Sequence, residues 1–211
     1  MKKINFRFKR SLFTILASAA LGLGLFLTLT IAGEAYSDRI MKNITSEVFR
    51  FHILADSDTE EAQALKIALR DEILEKYEPF LTSSHSKAET AVFFEERTAE
   101  IEKLSEEFLA GKGSPSSVKA EVTKSYFPVR RYGEAALPAG TYDCLKITIG
   151  RGEGHNWWCV MFPPLCYTSG TYEEIKEKGL SEETAEIITA ESPSASAVIK
   201  IKFKIFELFN K

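Results

Sequence analysis

Cys159 and Cys166, His52 and His155, and Asp56 and Asp58 are the side chains whose types and spacing offer this chain some chemistry. A thiol nucleophile, an imidazole base and an orienting carboxylate together make a hydrolase. Cys159 or Cys166, His52 or His155, and Asp56 or Asp58 would fill those roles, but nothing in the spacing assigns them. The same two cysteines flank Pro163-Pro164, a bend able to bring their Cα atoms toward the ~5.5 Å that a disulfide requires. Cys144 keeps the pairing open, since a Cys144 to Cys159 bridge, or none, also fits the sequence.

Plainer uses compete with each chemical one. His52 reads as a core residue on a strand and His155 as a turn residue. His155-x3-Cys159-x6-Cys166 gives zinc three ligands at irregular spacing, one short of a structural site. Gly150-x-Gly152-x-Gly154 leads into a strand, whereas a phosphate loop opens a helix. Helix capping accounts for Asp56 and Asp58. No catalytic set, metal site or cofactor is therefore expected.

The elements that position these residues are set by periodicity. Asn156 to Phe162 reads as a strand stopped by Pro163-Pro164, which lack N–H groups. Alternation puts Trp157, Cys159 and Met161 on one face and Trp158, Val160 and Phe162 on the other, so neither face suits water. Either the chain's own helices cover both faces or one is kept for a partner. The expected partner strand is Thr141 to Ile149, joined through the glycines as a hairpin.

Upstream, Val48 to Ala55 suits a strand entering a core. The Ser57/Glu60 or Asp58/Glu61 pair then starts a helix near Thr59, with Ala62, Leu65, Leu69 and Ile73 inward, Lys66, Arg70 and Asp71 outward, and an end at Pro79. A second helix is predicted from Ser86 to about Ala110, and a strand over Val118 to Tyr126. Residues 127–133 read as irregular and 137–140 as a turn. A short helix over 172–178, another capped by Ser181, and a last strand over Val198 to Ile205 complete an α+β layered domain with a mostly antiparallel sheet. Lys200, Lys202 and Lys204 share one face of that last strand, as on a solvated edge.

Charge and hydropathy divide the chain. Its first ten residues hold five basic side chains and no acidic one, and Ser11 to Ala32 is uncharged. Such a run is long enough for a bilayer, which takes about 20 apolar residues, and the basic residues before it send the rest of the chain across the membrane. Residues 1–35 are thus an export segment. It is either a signal peptide cut after Ala35, with Gly33 and Ala35 as the small residues, or a retained anchor holding residues 11–32 in the membrane. Residues 36–46 read as a linker or helical stem, and 47–211 as one extracytoplasmic domain. From Tyr36 onward 22 basic face 29 acidic residues, a formal −7, which argues against nucleic acid as a partner.

Phe49-Arg50-Phe51-His52-Ile53-Leu54-Ala55-Asp56-Ser57-Asp58, Gln63-Ala64-Leu65-Lys66 and Leu69-Arg70-Asp71 resemble the stage II sporulation protein R family of endospore-forming bacteria. Tyr126-Phe127-Pro128-Val129, Leu137 to Tyr142, and Asn156-Trp157-Trp158-Cys159 through Pro163-Pro164-Leu165-Cys166 extend the likeness, which spans about Val48 to Lys211. Cys144 and His155 stand outside that pattern. The resemblance implies a signal made in the forespore and exported into the space between the two membranes. There it triggers a membrane-embedded aspartic protease of the mother-cell side, which removes the pro-sequence of an early mother-cell sigma factor. Trp157, Trp158, Phe162, Pro163 and Pro164 are the expected contact surface, since aromatics anchor interfaces, with His52 and Asp56 as a second candidate.

Overall fold

Phe49, Phe51 and Ile53 alternate with Arg50 and His52, and the strand they form, β1 (Phe49–Leu54), is buried along almost its whole length. This computed structural model describes residues 2–84, 86–167 and 170–189. The remaining described elements are α1 (Lys2–Glu47), α2 (Glu60–Ser83), α3 (Lys87–Glu95), α4 (Thr98–Gly111), β2 (Val118–Phe127), β3 (Arg130–Tyr132), β4 (Ala135–Leu137), β5 (Gly140–Ile149), β6 (Asn156–Phe162), α5 (Tyr172–Glu177) and α6 (Glu182–Thr189). The chain divides into two compact units, Met1–Ile40 and Met41–Lys211.

The first unit lies within α1, and from Ser11 the helix is long and apolar enough to cross a bilayer. Leu12, Phe13, Leu21, Phe26 and Ile31 are all exposed on it. It has the character of a signal or anchor segment.

The second unit is α+β. Its four-stranded sheet has the order β2-β5-β1-β6, antiparallel except for the β1 to β5 pair. Phe49, Phe51, Ile53, Leu145, Ile147 and Ala120 share one face by register and are all buried. Helices cover this face: Phe49 stacks on Phe94 of α3 at 6.3 Å, and Phe94 meets Tyr77 of α2 edge-on at 5.4 Å. The outer edge of β2 is blunted by α4, whose Glu106 and Glu102 carboxylates accept the N–H groups of Val118 (3.0 Å) and Ala120 (2.9 Å). Two ladder donors are thereby closed to another chain.

The expected hairpin of β5 and β6 does not form. β1 lies between them, pairing with β5 through Arg50↔Cys144 to Leu54↔Thr148 and with β6 through Leu54↔Asn156 to Phe49↔Phe162. Short glycine-bearing connections usually join neighbouring strands. Here the glycines instead let the chain cross the end of β1 at close range. A Cβ on Gly150 would sit 2.2 Å from Asp56 Oδ1, and one on Gly154 2.2 Å from the Ser57 carbonyl oxygen. A bulge opposite the Phe49–Arg50 step makes Met161 the extra residue of β6, so Phe162 pairs with Phe49 and leaves the face assigned by simple alternation.

Other expectations shift locally. Thr59 is the N-cap of α2, its hydroxyl accepting from Ala62 N at 3.3 Å. The helix runs through Pro79 to Ser83, its last turn held by Phe80 stacked on Phe93 at 3.5 Å. Lys66 is buried rather than outward, because Nζ donates to the His155 carbonyl at 2.9 Å and to Gln63 Oε1 at 2.6 Å. The single helix expected over 86–110 is two, broken at Glu96–Arg97, where Arg97 leaves the helical region and its Nη1 donates to the Phe93 carbonyl at 2.9 Å. Residues 130–132, read as irregular, form the β3–β4 ribbon, turned at Gly133 with φ +58°. Ser181 does cap the helix at 182–189, and Ala185, Ile187 and Ile188 are buried. The strand expected over Val198 to Ile205 lies outside the described residues.

Candidate functional site

The two tryptophans project from neighbouring positions of β6 to opposite faces of the sheet, and both are half-buried. Trp157 lies on the helix-covered face. It meets Phe51 edge-on at 5.7 Å, and the Arg70 guanidinium of α2 lies 4.9 Å from its ring. Trp158 takes the other face, stacked with His52 at 6.0 Å, with Arg130 of β3 at 4.4 Å from its ring. Phe162, Pro163 and Pro164 are buried, so of the β6 residues expected to make contact only the tryptophans offer surface. His52 is 7% exposed, and Asp56 is partly exposed at the turn after β1.

Arg50 is buried outright beneath the β3–β4 ribbon, 0% exposed. Its Nη2 donates to the Tyr132 hydroxyl at 2.7 Å, and its guanidinium lies 4.1 Å from the Phe127 ring and 4.9 Å from the Tyr142 ring. Burial lowers its pKa from the ordinary value, while Tyr132 and Tyr142 act in the opposite direction. Burial likewise pushes the Tyr132 and Tyr142 hydroxyls up. Sequence reasoning missed Arg50, Tyr132 and Arg130. The available signal was a cation flanked by Phe49 and Phe51 inside an otherwise apolar strand.

Asp56 and Asp58 do not cap α2. Asp56 Oδ1 accepts the Arg151 N–H at 2.9 Å, and Asp58 Oδ1 accepts the His155 N–H at 2.6 Å and also contacts His155 Nδ1. Both carboxylates fasten the glycine crossover to the turn after β1. The hydrogen bond from the His155 N–H, then the contact with its ring and the nearby Lys66, hold the Asp58 carboxyl below its ordinary value.

The hydrolase roles are not assembled. Cys159 and Cys166 form a disulfide with Cα atoms 5.9 Å apart, which occupies both proposed nucleophiles. Cys144 is a free buried thiol, pushed up to about 11 by burial, and Cys159 is bonded to Cys166, so the Cys144 to Cys159 alternative is not formed. Among the described residues no three His, Cys, Asp or Glu side chains cluster as a metal would need. Denatured, unreduced protein is expected to take iodoacetamide at Cys144 alone; labelling of all three cysteines would remove the bridge. Changing Cys159 and Cys166 to serine should lower stability by about 2 kcal/mol, the loop-closure value for so short a loop, read as a fall in the urea midpoint.

His52 makes stability depend on pH. Burial lowers its pKa from 6.5, a hydrogen bond of 2.9 Å between Nε2 and Asn156 Oδ1 opposes this, and Lys146 and Arg50 add to the lowering. Between the folded value and 6.5 the unfolded chain binds the extra proton, so stability rises with pH there and is lost as pH falls below about 6.5. Asp58 adds its loss only as pH falls below its ordinary 3.8. The urea midpoint should therefore drop between pH 7.5 and 5.5, and His52→Phe should flatten that slope. An equal slope in the variant would refute the assignment.

The comparisons with known proteins cover this same region. The family described as stage II sporulation protein R matches residues 45–172, which run from the end of α1 through β6. The chain belongs to that family. A curated member, stage II sporulation protein R of Bacillus subtilis (strain 168), is 32% identical over 160 residues, covering 72% of this chain and 71% of that protein. No solved structure matches the chain. As a stage II sporulation protein R family member, the chain has a role in sporulation. The match takes in the sheet, the crossover, the β3–β4 ribbon and both tryptophans.

Proposed function

We propose that this family member is an exported sporulation signal that activates a membrane-embedded aspartic protease by protein contact and so causes processing of the pro-form of an early mother-cell sigma factor. The observation that carries this is the family match over residues 45–172. The apolar N-terminal helix supports the reading, since it is suited to bring the domain through or to the forespore membrane and into the intermembrane space. The Cys159–Cys166 disulfide also supports it, because a bridged pair persists outside the reducing cytoplasm and holds no nucleophile for the rival Cys/His hydrolase acting on cell wall or peptide.

Activation by contact requires tighter binding to the active arrangement of the protease than to the inactive one. Trp157 and Trp158 are the exposed part of the surface that reading assigns; His52, stacked on Trp158, and Asp56, at the turn after β1, are its second candidate. The test is co-expression of this protein, the protease and the pro-sigma factor in a non-sporulating host. Processing that appears only with all three supports the assignment. Absence of processing, or hydrolysis of a cell-wall or peptide substrate by the purified protein, overturns it.

A further inference from the structure

The buried side-chain nitrogens without a protein partner, among the described residues, are Arg50 Nε and Nη1, His52 Nδ1 and Trp158 Nε1. Register places all three side chains on the face of β1 and β6 opposite Phe49, Phe51 and Ile53, with His52 directly across from Trp158. Since His52 Nε2 faces the Asn156 amide oxygen, it carries the proton in the neutral ring, and Nδ1 is left as a bare acceptor. The remaining unmatched groups, on Arg50 and Trp158, are all donors.

Burying a guanidinium is costly unless an acceptor or an opposite charge compensates. Aromatic rings supply part of that compensation, from Phe127, Tyr142 and Tyr132. The groups that act on Arg50 electrostatically are Tyr132, Tyr142 and Cys144, none of them a carboxylate. Among the described residues, no carboxylate thus faces the Arg50 guanidinium. The nearby Arg130 and Arg131 are exposed and add positive charge at the rim, against the formal −7 of the chain beyond the export segment.

We propose that Arg50, Trp158 and Arg130 form a carboxylate-binding site beneath the β3–β4 ribbon, filled by an aspartate or glutamate side chain of the protein that this domain contacts. The inference rests on the contact-signalling reading and gives the partner a chemistry. The carboxylate oxygens take the free N–H groups of Arg50 and the indole N–H of Trp158, as charge-assisted bonds. Arg130 lies over the outer face of Trp158, so the incoming acid passes a guanidinium before reaching the buried one. The ribbon is held to this site by the Tyr132 hydroxyl, which accepts from Arg50 and donates to the Trp158 carbonyl at 3.4 Å. It is therefore the piece that shifts when the site fills.

The full-length chain in a neutral detergent micelle has two tryptophans, hence two indole N–H resonances. Titration with sodium acetate, and separately with acetyl-Gly-Asp-Gly-amide, should move the Trp158 indole and Arg50 Nε–H signals along saturable curves while the Trp157 indole stays still. Sodium chloride at matched ionic strength and the Asn version of the peptide should move neither. Arg50→Lys should weaken both responses at least tenfold, and Trp158→Phe should weaken the Arg50 response if the Lys variant fails to fold. No saturable shift, or an equal shift with chloride, overturns the site. In the co-expression assay, a folded Arg50→Lys protein that has lost carboxylate binding yet processes at the wild-type level overturns the partner assignment. Failure of the wild-type protein in that assay sinks the signalling reading and leaves the resonance result standing by itself.

Discussion

Gly154→Ala should destabilise the second unit by about 3 kcal/mol, the upper part of the range for forcing atoms into a packed site. The added Cβ would lie 2.2 Å from the Ser57 carbonyl oxygen, 2.6 Å from its carbon and 2.9 Å from Ala55 Cβ. Two of those three atoms are backbone, so no side chain can swing away to relieve the contact. Nor can the turn yield. The Ser57 carbonyl accepts from Gln63 Nε2 at 2.9 Å, Gly154 N–H donates to the Ala55 carbonyl at 2.9 Å, and Asp58 holds His155 from the same side. Relief therefore means parting the crossover from β1 and giving up these bonds together. Gly111→Ala is the control, with nothing within 4 Å of the new methyl at the end of α4, and should be neutral or slightly stabilising. Urea unfolding of both variants decides the matter. A Gly154→Ala midpoint equal to wild type would mean that the crossover does not press on β1.

That crossover is also where sequence reading and structure part. Local signals carried well: alternation in Val48 to Ala55 and Val118 to Tyr126 placed β1 and β2, and Thr59, Ser86 and Ser181 stand at helix starts near those expected. The α+β class and a mostly antiparallel sheet came from such elements taken in order. Strand order did not, because glycines between two strands fit a hairpin and a tight crossover equally well. What separates the two is whether a third strand lies between, and that is decided by contacts nearly 100 residues apart, such as Asp56 with Arg151 and Asp58 with His155. The site was half legible for the same reason. Both tryptophans and the disulfide pair stood out by residue type, whereas Arg50 acquires meaning only once Tyr132 is brought to it across 82 positions.

On the proposed contact-signalling function, Trp158→Ala should sharply reduce sigma-factor processing while leaving the domain folded. Trp158 is half-buried, and its ring lies between His52 and the exposed Arg130, so it belongs to the surface as much as to the sheet. Its backbone pairing with His52 does not depend on the side chain. Removing a fully buried tryptophan takes away about 3–5 kcal/mol; a half-exposed one should lose about 2, within the 5–15 kcal/mol that typical domains possess. At an interface, truncating a central aromatic weakens binding by about 2 kcal/mol or more, close to thirtyfold. Under that proposed function the domain acts through its preference for the active state of the protease, so processing should fall with that affinity. Amide spectra of the purified variant establish that it folds, and immunoblotting of the pro and mature sigma factor reads the outcome in the three-protein host. Trp157→Ala run alongside separates the faces: Trp157 packs on Phe51 under Arg70, so its loss should lower stability more and signalling less. Wild-type processing by a folded Trp158→Ala protein would place the contact surface elsewhere on the domain.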